Sequence, residues 1–168
     1  MVDTRPIIKL PLHTTDKLLE KIGLVVFVAM WIFFIFCYWQ MPSIVPLHFN
    51  TQGVANRYGS KLTLLLLPIL ATLLYWGIGY LNKFPHIFNY MVTITEANAA
   101  KQYSQATRML RWLKLAVLIA FSLTLVMEYK ATIHKTAELN NWLLPFIYAL
   151  FGLPTIWYIS SSFSKKNK

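Results

Sequence analysis

Four long apolar runs occupy most of this chain: Ile22 to Gln40, Leu62 to Leu81, Leu115 to Met127 and Trp142 to Ile159. As a helix rising 1.5 Å per residue, about 20 uncharged residues cover the roughly 30 Å of bilayer hydrocarbon. The first, second and fourth runs hold 18 to 20 residues without a charge. The third has only 13 between Lys114 and Glu128, so it spans only if both charged side chains snorkel toward the headgroups. The expected fold is therefore an all-α integral membrane bundle of four transmembrane helices, with the third extended into the cytoplasm. A single membrane domain over residues 1–168 is expected, its fourth helix at about 142–160, because too few residues remain outside the runs for a separate soluble core.

Composition agrees: mean hydropathy is +0.49 and charged residues make up 13% of the chain, against about 25% in soluble domains. The formal net charge of +10 invites a nucleic-acid reading, but the placement of the basic residues argues for orientation instead. Arg5, Lys9, Lys17 and Lys21 precede the first run. Lys83, Lys101, Arg108, Arg111 and Lys114 separate the second from the third, and Lys165, Lys166 and Lys168 follow the fourth. Only Arg57, Lys61, Lys130 and Lys135 fall on the other side. The positive-inside rule then places both termini in the cytoplasm of a multi-pass cell-membrane protein, with the basic excess facing anionic lipid. No nucleic-acid partner is expected. The first run is longer than a secretory h-region and Met41-Pro42 is no small-residue cleavage site, so a cleavable signal peptide is not expected. Cys37, the sole cysteine, lies inside the first run and reads as a small packing residue.

Between the runs, three features carry information. Thr15-Asp16 is placed to cap a helix leading into the first run. Pro42 to Lys61 reads as a short ordered loop, with Pro42 and Pro46 blocking helix and Gly53 and Gly59 supplying turn positions. Thr93 and Glu96 have capping-box spacing, and no proline or glycine follows until Pro145, which predicts one helix from about Ile94 to about Tyr129. Along it, Ala99, Tyr103, Ala106, Leu110, Leu113, Val117 and Ala120 recur at alternating spacings of four and three. That is an interhelical seam, packed against another span of this chain or, alternatively, a second copy in a homodimer. Lys101, Arg108 and Arg111 form the face expected to meet a cytoplasmic partner or lipid headgroups.

Catalytic signatures do not emerge. The sequence holds no His-Glu-x-x-His, cysteine pair, Walker loop, Gly-x-Ser-x-Gly or dinucleotide fingerprint. The expected topology splits the histidines, His13 and His86 inside, His48 and His134 outside, so no metal site and no cofactor are expected. With no ionisable side chain in the middle of any run, a coupled transporter is disfavoured. The protein is expected not to be an enzyme.

The segment Met-Pro-Ser-Ile-Val-Pro-Leu-His-Phe-Asn-Thr-Gln-Gly-Val-Ala-Asn-Arg-Tyr-Gly-Ser-Lys, residues 41 to 61, resembles the hallmark of the membrane domain-of-unknown-function family numbered 1648. Phe-Pro-His-Ile-Phe-Asn-Tyr, Ile-Thr-Glu-x-Asn-Ala and Thr-Arg-Met-Leu-Arg-Trp-Leu-Lys also look like stand-alone bacterial members, so the resemblance covers about residues 20–128. Its best-known relatives are SdpI-type proteins, which protect a bacterium from its own secreted toxin and signal by holding a repressor at the membrane. They carry further C-terminal spans where a single helix is expected here, and often Asp at the position of Asn56.

The resemblance marks Pro46, His48, Phe49, Asn50, Gly53, Asn56, Arg57, Gly59 and Lys61. As a recognition surface for a peptide or a lipid headgroup outside the cell, Phe49 and Tyr58 give apolar contact and His48, Asn50, Arg57 and Lys61 polar contact. As a structural cap, His48 and Asn50 bond loop backbone, Phe49 plugs the bundle, and Lys61 snorkels. Two functions follow: peptide-toxin immunity or sensing of the SdpI type, with a protein partner inside, or a non-enzymatic assembly or transporter accessory subunit using the Tyr103, Ala106 and Leu110 seam.

Overall fold

A computed structural model describes residues 5–50, 54–134 and 142–163. Its helices are α1 (Thr14–Gln40), α2 (Leu66–Leu81), α3 (Glu96–His134) and α4 (Leu143–Ser162), with a hairpin of strands β1 (Ile44–Phe49) and β2 (Ala55–Ser60) between α1 and α2. A 3-10 turn over Lys61–Leu65 leads from β2 into α2. Four helical stretches, Thr14–Gln40, Lys61–Leu81, Glu96–Ile133 and Leu143–Ser162, are long and apolar enough to cross a membrane. This is compatible with a multi-pass membrane protein.

The third helix forms as one unbroken element of 39 residues, about 58 Å long, because nothing in it removes a backbone donor or lacks a side chain. Its start is two residues later than the capping-box reading placed it. Asn98, not Glu96, reaches back: its Oδ1 accepts from Thr95 N at 2.9 Å while its Nδ2 donates to Thr93 O at 3.0 Å. At α1, Asp16 does serve the helix start, its Oδ2 accepting from His13 N at 3.0 Å.

α3 packs along α1, α2 and α4 and is the centre of the bundle. Met30, Phe34 and Cys37 of α1, Ala71 and Tyr75 of α2 and Leu118 and Leu125 of α3 make the core, which continues into the hairpin through Val45. One polar tie crosses the apolar region: Trp31 Nε1 donates to Thr72 Oγ1 at 3.0 Å, and that hydroxyl donates to Pro68 O at 2.7 Å. Both hydroxyl and indole are thereby satisfied where water would be absent.

Two expectations are corrected. The segment read as a loop is an antiparallel sheet, pairing Ile44 with Ser60, Val45 with Gly59, Pro46 with Tyr58, His48 with Arg57 and Phe49 with Ala55, so the fold is not wholly α. The register slips at Leu47, next to Pro46, which brings no N–H to the ladder; a bulge absorbs the missing bond. The second correction concerns Lys114 and Glu128, expected to snorkel but both buried. Lys114 finds a carboxylate on α1, which removes the need to reach headgroups.

Candidate functional site

At the hairpin end, the nine residues marked by the sequence divide into scaffold and display. Pro46 is buried in β1, and Gly59 lies beneath Leu47: a Cβ on Gly59 would run into Leu47 Cδ1. Gly59 is therefore a close-approach glycine within a strand, not a turn glycine. Asn50 closes the hairpin, its N donating to Val54 O at 2.9 Å and its Oδ1 accepting from Val54 N at 2.8 Å. Lys61 N donates to Ser43 O at 3.0 Å, fixing the base of the sheet.

The side chain of Lys61 turns back onto α1, where its ammonium donates to Tyr38 O and Met41 O at 3.0 Å each and lies 4.5 Å from the Tyr38 ring centroid. The last turn of α1 has no basic residue of its own, so Lys61 supplies the positive charge that unbonded carbonyls at a helix C-terminus favour.

His48, Asn56, Arg57 and Tyr58 are exposed. His48 Nδ1 donates to Asn56 Oδ1 at 2.7 Å, bonding a side chain across the hairpin, where the cap reading expected loop backbone. Gly53 and the side chain of Phe49 lie outside the described residues.

The opposite end of the bundle holds a second constellation that motif reasoning missed. Asp16 and Glu20, one turn apart on α1, face Arg108, Arg111 and Lys114 on α3. Arg108 Nε donates to Asp16 Oδ1 at 2.9 Å and its Nη2 to Oδ2 at 3.3 Å, a bidentate pair. Arg111 Nε lies 3.2 Å from Glu20 Oε1, and Lys114 Nζ binds Glu20 Oε2. The two guanidiniums assigned to a partner or lipid face are thus turned inward onto α1, while Lys101 is exposed. The available signal was acidic residues at i, i+4 and basic residues at i, i+3, i+6 flanking apolar runs at the same end.

Beside these pairs the residues before α1 form a strap. Arg5 Nη1 donates to Phe88 O and, at 3.3 Å, to His86 O, and its guanidinium lies 5.6 Å from the Tyr90 ring centroid. Ile8 and Leu10 then cover Ala99 and Tyr103, with Tyr90 and Val92 alongside. The Tyr90 hydroxyl donates to Pro85 O at 2.9 Å, and burial raises its pKa, which keeps it a donor. Tyr103 and Ala106 of the seam are buried within the single chain, whereas Leu110 is half-buried. Among the described residues, no three His, Cys, Asp or Glu side chains converge as metal ligands would.

Residues 25–72, which contain the hairpin and most of α1, match the model of the family described as "Domain of unknown function (DUF1648)". The match is narrower than the 20–128 read from the motifs. An uncharacterized protein of Archaeoglobus fulgidus is 26% identical over 160 residues, covering 89% of this chain and 87% of its own length, so the similarity extends to an archaeon. No solved structure matches.

Proposed function

We propose that this chain is a non-enzymatic, multi-pass protein of the cell membrane that meets a peptide outside the cell through the β1–β2 hairpin, in an immunity or sensing role of the SdpI type. One observation supports this above all: scaffold and display are carried by different side chains. Val45, Pro46, Gly59 and Lys61 set the hairpin on the bundle and Asn50 closes it, while His48, Asn56, Arg57 and Tyr58 are exposed. A pure cap has no need of an exposed aromatic, a cation and a bonded imidazole on one short sheet. Exposed Tyr and Arg beside each other are the side-chain types that dominate binding energy at protein interfaces.

In this reading the positive-inside distribution sets the hairpin outside and both termini in the cytoplasm. The amino-terminal part of α3, around Lys101, then projects into the cytoplasm and is the surface offered to a protein partner.

The test is protection of cells from a membrane-active peptide. Arg57→Ala and Tyr58→Ala are expected to abolish protection at unchanged protein level, whereas Asn50→Ala lowers the level itself. Full protection by the Arg57 and Tyr58 variants, or loss of protein in all three, would leave the hairpin as a structural cap alone.

A further inference from the structure

At the end of the bundle opposite the hairpin, two carboxylates, Asp16 and Glu20, face four cations: Arg108, Arg111, Lys114 and Lys83. Asp16 is taken by Arg108, so Glu20 alone offsets the other three. The surplus falls in a cleft of about 420 Å³ where α1, α2 and α3 meet, lined by Glu20, Tyr75, Trp76, Gly79, Tyr80, Lys83 and Lys114.

The cleft is shaped around the ammonium groups. Lys114 Nζ lies 4.6 Å from the Tyr75 ring centroid, and a Cβ on Gly79 would come within 3.8 Å of it, so the bare glycine leaves open space at the charge. Lys83 Nζ lies 5.8 Å from the Tyr80 ring centroid, and its side chain is exposed.

Its level along the bundle is fixed by helix length. The 3-10 turn and α2 together run over the 21 residues Lys61–Leu81, with Lys83 just beyond, roughly 33 Å, and Glu20 and Gln40 are 20 positions apart on α1, about 30 Å. Each distance is one hydrocarbon thickness, which sets the cleft at a headgroup boundary. Trp76 and Tyr80, 59% and 61% exposed, form its rim as the amphipathic rings that favour this depth. Leu73, one turn deeper on α2, is also exposed and offers an apolar track below the cleft.

We propose that this cleft binds an anionic membrane lipid, its phosphate held between the Lys83 and Lys114 ammonium groups and an acyl chain lying along α2 past Trp76. Net positive charge selects the headgroup, and the sideways opening at the bilayer boundary selects lipid over a soluble anion. Lys114 shares Glu20 with Arg111 yet lines the cleft, whereas Arg108 and Arg111 do not line it.

The test uses the full chain in mild detergent and native mass spectrometry with phosphatidylglycerol, phosphatidylcholine and inorganic phosphate as probes. Phosphatidylglycerol is expected to be retained over phosphatidylcholine, to weaken roughly fivefold in Lys83→Gln, and to be blocked in Gly79→Leu. Lys130→Gln, exposed near the far end of α3, should retain it unchanged. Equal retention of the two lipids, or Lys83→Gln binding phosphatidylglycerol as well as the unaltered chain, would overturn the proposal. Displacement of the lipid by inorganic phosphate would overturn it too, in favour of a soluble anion. Should Gly79→Leu fail to fold, Lys83→Gln decides alone, because Lys83 is exposed and bears no packing load.

Discussion

Lys61 reaches across 23 positions to the end of α1, donating to the Tyr38 carbonyl at 3.0 Å while its ammonium sits 4.5 Å from the centre of the same residue's ring. Hairpin and first helix are thereby joined by one side chain that closes the helix and pins β2. Lys61→Met should cost about 1.5–3 kcal/mol, the range for hydrogen bonds to charged groups, whereas Lys61→Arg retains most of it. Thermal unfolding in detergent measures this; an unchanged midpoint for Lys61→Met would show that water replaces the ammonium without loss.

The pair of Asp16 and Arg108 joins α1 to α3, with side-chain exposures of 3% and 23%. Breaking it strands a buried charge, so Asp16→Ala and Arg108→Ala are each expected to destabilise by about 1.5–3 kcal/mol. The double variant should cost clearly less than the two together, since neither charge is then left unpaired. A thermodynamic cycle that came out additive would argue that the two side chains act independently.

Gly23 lets α1 approach α2: a Cβ there would meet Tyr75 Cε2 at 3.3 Å. Tyr75 is stacked on Phe27, ring centroids 5.3 Å apart, and lies under Lys114, so it can give by a few tenths of an ångström but no more. Gly23→Ala should be tolerated by a small shift of the ring, and Gly23→Leu should destabilise by about 1–3 kcal/mol through overpacking. Comparable detergent stability of the leucine variant would mean that the two helices separate freely there.

Arg5 anchors the strap over Ala99 and Tyr103. Arg5→Ala should raise amide hydrogen exchange at residues 7–12 while leaving α2 and the core of α3 protected, because local opening follows the loss of local bonds. Exchange that stays slow over the strap would assign its retention to Ile8 and Leu10 instead.

Helix existence was legible because it depends on composition along the chain. Uninterrupted apolar runs and the lack of proline or glycine between Thr93 and Pro145 suffice for four long helices and for the continuity of α3. The hairpin was less legible. Pro46 and Gly59 read as breakers, and only the pairing of Val45 with Gly59, with Leu47 lying over the glycine, turns both into strand residues. Strand pairing depends on a partner segment and on a bulge that no single stretch reveals.

Charge told the clearest difference between the two levels. By itself the sequence determined that the chain carries a surplus of cations, that they flank the apolar runs, and that four helices are long enough to cross a bilayer. Which cations meet a carboxylate was decided only when α1 and α3 packed, bringing Arg108 onto Asp16 and both Arg111 and Lys114 onto the single carboxylate of Glu20. A contact ion pair needs its nitrogen and oxygen within about 4 Å, so it depends on the rotation and depth of each helix against its neighbour. Those quantities exist only once the bundle has formed.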